Sequence, residues 1–189
     1  MPLPEPPQPR EELHIRTIEM RGFRREDGLF DIDGRVIDRK AYAFVRPASS
    51  EATPPFAPLH DLWLRLTVDE DLVVRDIVAV SDATPHEVCR GAVAPMHVMI
   101  GERIKAGWSN VVKSKLGGAV GCTHLMELLM PLATAAYQTI APVRAPRPAV
   151  LDRSGRPVKI DSCYAYASHT PVVKVLWPEH YTGTLGSDT

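Results

Sequence analysis

The spacing of apolar residues changes period at Thr84, and that change constrains the fold more than any other feature of the chain. In HDLWLRLTV, Leu62, Leu64, Leu66 and Val68 alternate with Asp61, Trp63, Arg65 and Thr67, the pattern of a half-buried strand. The turn VDEDL returns the chain into VVRDIVAV, so residues 60–80 read as a hairpin. Upstream, HIRTIEM and RGFRREDGLFDIDGRVIDRKAYAFV carry the tight-turn pairs Asp27-Gly28 and Asp33-Gly34, which predict two or three more antiparallel strands. Downstream, Thr84-Pro85-His86-Glu87 combines a capping-box spacing with a proline at the first helical position, and predicts a helix with Val88, Ala92 and Val93 on its apolar face. Pro95 is expected to bend or stop it, and one or two helices follow around Gly101 and Gly107. After a break at Gly117, Gly118 and Gly121, Leu125, Leu128, Leu129, Leu132, Ala136 and Ile140 follow the spacing of a buried helix face, which Pro131 is placed to kink. Strands first and helices second define an α+β fold, with an N-terminal antiparallel β-sheet followed by a cluster of helices.

The 18 prolines sharpen the boundaries. Five lie in residues 1–10, four between Pro47 and Pro58, and six between Pro142 and Pro178, leaving a proline-poor centre. Residues 1–12 read as a flexible tail, 13–141 as a single α+β domain with a proline-rich loop over Arg46 to Pro58, and 142–189 as an extended arm. The arm holds β-like pieces at VKIDSCYAYA and PVVKVLW. Its Cys163, Tyr164, Tyr166 and Trp177 suit packing on the domain or on a partner subunit, as in a homo-oligomer. A net charge of −1 and a pI near 6.7 give no basic footprint for nucleic acid. No apolar run approaches a membrane span and the N-terminus resembles no signal peptide, so a cytoplasmic location is expected. Three widely spaced cysteines, Cys89, Cys122 and Cys163, read as reduced thiols.

Chemistry concentrates in GGAVGCTHLMELL. With Thr123 as the helix N-cap, Cys122 and His124 lie where unpaired backbone N–H groups favour negative charge, which lowers a thiol pKa and keeps an imidazole neutral. A tightly packed glycine loop with Cys122 as a small apolar residue is the plain alternative. His60 is in phase with Leu62, Leu64 and Leu66, so it faces the helices from the first residue of its strand, while Asp61 and Arg65 share the opposite face and are free to pair there. His60, His124 and Cys122 are therefore the candidate catalytic residues. Arg24 and Asp27 of the hairpin, together with Cys89 and Trp108, are the candidate substrate-binding residues, with Arg24 as an anion clamp. Cys89, Cys122, His124 and His60 also make an inventory for tetrahedral zinc, although no Cys-x-x-Cys or His-x-x-x-His spacing supports it, and no cofactor is the primary expectation. GFRREDGLFDIDG lacks the acidic order of an EF-hand loop. Met96, Met99, Met126 and Met130 read as core.

Arg16, RGFRREDGLFDIDGRVIDRKAY, LHDLWLRLTVD, Cys89, IGERIKAGW, LGGAVGCTHLMELL and IDSCYAYA occur in one order that resembles the bacterial DUF2889 family, a domain of unknown function, over residues 13–182. Members of that family occur in proteobacteria with large catabolic repertoires, including degraders of aromatic compounds, so the resemblance implies a small aromatic substrate. The expectation is a cofactor-independent lyase that deprotonates a phenol or hydroxyl and releases an aldehyde such as formaldehyde. Its expected pocket lies between the inner face of the 60–80 hairpin and the helix after Gly121. A hydrolase or thioesterase acting on an acyl substrate, a metal-dependent enzyme, and a non-catalytic binding or assembly protein are the alternatives.

Overall fold

The structure, a computed structural model, describes residues 3–46, 51–144 and 148–183. They divide into two compact units, Met1–Arg144 and Ala145–Thr189. In the first, strand β1 (His14–Arg24) and strand β2 (Phe30–Lys40) form a long antiparallel hairpin in the register His14↔Lys40 to Arg24↔Phe30. Its turn closes with Arg25 N–H donating to the Leu29 carbonyl at 2.9 Å, and Gly28 takes the left-handed φ of 84° that the turn requires. Strand β3 (Phe44–Val45) and strand β4 (Ala52–Thr53) form a small separate ribbon, of which only β4 lies inside the stretch expected to be a loop. Strand β5 (Pro58–Val68) and strand β6 (Val74–Ala83) are the expected hairpin, and the main sheet runs β1-β2-β5-β6. This is the expected mixture of an antiparallel sheet followed by helices.

Asp33-Gly34 makes no turn. It lies in the middle of β2, where Gly34 pairs with both Met20 and Leu64. A Cβ at Gly34 would sit 3.1 Å from Leu132 Cδ2, so glycine here serves close approach of the sheet to a helix. Even-numbered residues of β2 and β5 form the inner face: Phe30, Ile32, Val36, Leu62, Leu64, Leu66 and Val68 are all buried. The outer face carries cross-strand ion pairs. Arg65 binds Asp33 and Arg35 binds Asp61, so Asp61 and Arg65 pair with β2 rather than with each other.

The capping box at Thr84 does not form, since the Thr84 hydroxyl donates to the His86 carbonyl at 2.9 Å. Glu87–Met99 is a 3₁₀ stretch rather than an α-helix, and it runs on through Pro95 to bury Met96 and Met99. Gly91, Pro95 and the β-branched Val88, Val93 and Val98 are poor α-formers, and Pro95 also removes a backbone donor. Helix α1 (Trp108–Leu116) follows Gly107, whose φ is 86°. Helix α2 (Thr123–Arg144) runs through Pro131 and lays Leu125, Leu128, Leu129, Leu132, Ala136 and Ile140 into the core against β1, β2 and β5.

In the second unit the β-like pieces expected around Tyr164 and Val173 are helical: a 3₁₀ turn at Tyr164–Tyr166 and helix α3 (Pro171–Leu176), which starts on Pro171 where its fixed φ is favoured. Tyr166 packs on Trp177 with ring centroids 5.9 Å apart. Among the described residues no helix is long and apolar enough to cross a membrane.

Candidate active site

The inner-face alternation of β2 reads Phe30, Ile32, Gly34, Val36, and then Asp38. An acidic side chain is thereby forced into the row of core residues, and its side chain is 2% exposed. Burying a carboxylate is costly unless its lone pairs are filled. The neighbouring strands fill them. The hairpin register sets Arg16 of β1 opposite Asp38, and the β2–β5 register sets His60 opposite it on the other side. Arg16 Nε donates to Oδ1 at 2.8 Å and Arg16 Nη2 to Oδ2 at 2.9 Å; His14 Nε2 lies 2.9 Å from Oδ1 and His60 Nδ1 lies 3.0 Å from Oδ2. Four donors thus occupy the roughly four acceptor positions of one carboxylate. Because a carboxylate only accepts, His60 must carry its proton on Nδ1, which leaves Nε2 of the neutral ring as a base.

Helix α2 supplies the second half of the site. The Cys122 carbonyl accepts the first helical bond, from Met126 N–H at 2.9 Å, so the N-cap is Cys122 and not Thr123. Cys122 thus stands where the first orphan N–H groups of the helix favour negative charge. His124 Nδ1 lies 3.8 Å from Cys122 Sγ, and His124 Nε2 lies 4.0 Å from Asp38 Oδ2. The His124 ring stacks on His60 with centroids 3.8 Å apart and planes inclined by 35°. One turn further along, Glu127 accepts from Arg16 Nη1 at 2.8 Å and ties β1 to the helix.

These contacts separate the proton affinities of the two histidines. Burial would raise the Asp38 carboxyl, but hydrogen bonds from Arg16 and His14, with the charge of Arg16, hold it at about 2. Burial and the facing His124 lower His60 below the ordinary imidazole value, against the pull of Asp38. His124 moves the other way: its contact with Cys122 outweighs its burial and raises it. Burial works to raise the Cys122 thiol, but His124 and the helix N–H groups together bring it below its ordinary value.

His60, His124 and Cys122 are therefore brought together from β5 and α2. The other expected site residues are elsewhere. Arg24 and Asp27 sit at the hairpin-turn end of the sheet, eight residues along β2 from Asp38, or roughly 27 Å at strand rise. Arg24 there lines a cleft of about 470 Å³ with Gly22, Phe30 and Thr139, and Asp27 is held by Arg25. Trp108 is core, 6% exposed, with its indole N–H donating to the Leu129 carbonyl at 3.0 Å. Cys89 lies in the 3₁₀ stretch against β6.

Asp38, His60 and His124 offer donor atoms within 4.8 Å of one another, a different set from the two cysteines and two histidines of the zinc inventory. In this arrangement the Asp38 oxygens are engaged by Arg16, His14 and His60. Asp38, Arg16 and His14 escaped the sequence reading. The signal for Asp38 was a carboxylate in phase with an apolar face, and counting back across the Gly28 turn would have placed Arg16 opposite it.

No curated protein and no solved structure matches the chain. The family model described as a protein of unknown function, DUF2889, matches residues 14–138, which span β1 to most of α2 and include every residue of the Asp38 cluster. By that match, over well more than half its length, the chain belongs to the DUF2889 family.

Proposed function

We propose that the protein is a cytoplasmic small-molecule enzyme of bacterial catabolism, a cofactor-independent lyase that works by acid–base chemistry on a phenolic substrate and releases an aldehyde such as formaldehyde. One observation carries the reading: two histidines stack beside a buried carboxylate that binds one of them, His60, while their surroundings push their pKa values apart, His60 down and His124 up. Such a split assigns a base and an acid at neutral pH. His60 Nε2 takes the proton of a substrate hydroxyl as its oxygen becomes an aldehyde carbonyl. The adjacent carbon–carbon bond breaks, and the electron pair left on carbon takes the proton of His124. Asp38 stays anionic, fixes the His60 tautomer and balances the charge that His60 acquires.

The test is aldehyde release from a panel of phenols bearing a hydroxymethyl or hydroxyalkyl side chain. Wild-type protein is expected to turn over at least one of them, with His60→Asn and His124→Asn each reducing kcat by about a hundredfold or more. Folded variants that keep wild-type turnover, or a folded wild-type protein inert across the panel, overturn the reading.

A further inference from the structure

Cys122 is a nucleophile for which aldehyde release has no bond-making use. Three features of its setting are geometric. It is the N-cap of α2, at the end where the helix presents its unpaired backbone N–H groups. Its sulfur lies 3.8 Å from His124 Nδ1. The other nitrogen of the same ring lies 4.0 Å from the buried Asp38 carboxylate. A histidine in contact with a thiol through one nitrogen, with the negative charge of a buried carboxylate near the other, pairs a nucleophile with a proton carrier as cysteine acyl-transfer sites do. The set is also open at its reactive end, because the side chain of His124 is 25% exposed while that of Asp38 is 2% exposed.

We infer that Cys122 gives the site a second activity, covalent hydrolysis of small activated esters and thioesters, with His124 as its proton partner. The inference rests on the same use of His124 as a proton carrier that aldehyde release requires. In the first step the thiolate attacks the acyl carbon and a carbon–sulfur bond forms. The bond to the leaving alkoxide, phenolate or thiolate breaks, and that group departs with the proton from His124 Nδ1. In the second step water attacks the thioester and returns a proton to His124. The acid product leaves and the Cys122 thiolate is restored. Water is the only co-reactant, and no electrons change hands. The lowered proton affinity of Cys122 and the raised one of His124 favour the ion-paired starting state.

The full-length protein is mixed with p-nitrophenyl acetate, and release of p-nitrophenolate is followed from the first turnover. The expected result is a burst followed by steady turnover, with one acetyl group mapped to Cys122 by peptide mass analysis of quenched samples. Cys122→Ser keeps a good N-cap, so the helix start is preserved while the nucleophile is lost, and it is expected to reduce burst and turnover by about a hundredfold or more. His124→Asn is expected to slow both, and Cys163→Ser to leave them unchanged. Acetylation at another residue, wild-type turnover by Cys122→Ser, or acetylation of Cys122 without turnover each overturns the inference. Aldehyde release is read in the same preparations. A protein that releases aldehyde but is not acetylated at Cys122 overturns this inference alone, and one that is acetylated but releases no aldehyde overturns the lyase reading alone.

Discussion

Asp38 organises the site by being buried where a carboxylate is costly and then fully satisfied. Its pKa of about 2, against 3.8 in a free side chain, makes it a source of stability as well as orientation. Because the folded value is the lower one, that stability is fully present above the unfolded pKa and is lost as pH falls from about 4 toward 2, amounting to about 2 kcal/mol. Urea denaturation at a series of pH values is expected to show that loss, and Asp38→Asn is expected to cost about 2–4 kcal/mol at pH 7 because Arg16 and the two histidines lose their shared acceptor. The histidines set the activity profile. His60 must be neutral and its pKa lies below the usual imidazole value, so the acid limb of kcat/KM falls below that value. His124 must be protonated and its pKa is raised, so the alkaline limb falls above it. A bell spanning neutral pH is expected, and Cys122→Ser should move its alkaline limb to lower pH, since the thiolate holding the His124 proton is gone. At this scale the sequence disclosed His60, His124 and Cys122, each marked by position in a periodic pattern. It did not disclose Asp38, Arg16 or His14, whose meaning comes only from which strand residue faces which.

Elements place these residues through two close approaches and one cap. The sheet meets α2 where β1 and β2 carry glycine on the inner face: Gly22 lies under Thr139 and Gly34 under Leu132. Gly22→Ala would drive its methyl group into the Thr139 side chain, and thermal or urea unfolding is expected to show a loss of about 1–3 kcal/mol from overpacking. The start of α2 shows why helix ends are harder to read than helix faces. The apolar spacing from Leu125 to Ile140 left no ambiguity about the buried stripe, but Thr123 is so favourable an N-cap that the cap was read one residue late. The stretch after Thr84 failed in the opposite sense: its capping signals were present, but Gly91, Pro95 and three valines favoured a 3₁₀ path that still buries Met96 and Met99. Asp33-Gly34 misled because aspartate followed by glycine suits both a turn and a narrow strand, and only the pairing of β2 with two neighbours separates the two.

The core explains which part of the molecule can stand by itself. Every residue of the main hydrophobic cluster lies between Phe30 and Ile140, within the first compact unit. A chain ending at Arg144 is therefore expected to unfold in a single cooperative transition, measured by circular dichroism, and to keep the Asp38 cluster; a non-cooperative melt would show that the core depends on later residues. What the sequence determined alone was the order of strands and helices, the inner faces of β5 and α2, and three of the groups that meet at the site. Those properties are local: alternation, helical spacing and turn chemistry act over a few residues and do not depend on distant partners. The tertiary structure decided which carboxylate the histidines share, which arginine keeps it charged, and that Arg24 and Asp27 stand at the opposite end of the sheet. Register fixes those facts, and register is set by the joint burial of several strands against one helix, a sum over the whole core that no single segment contains.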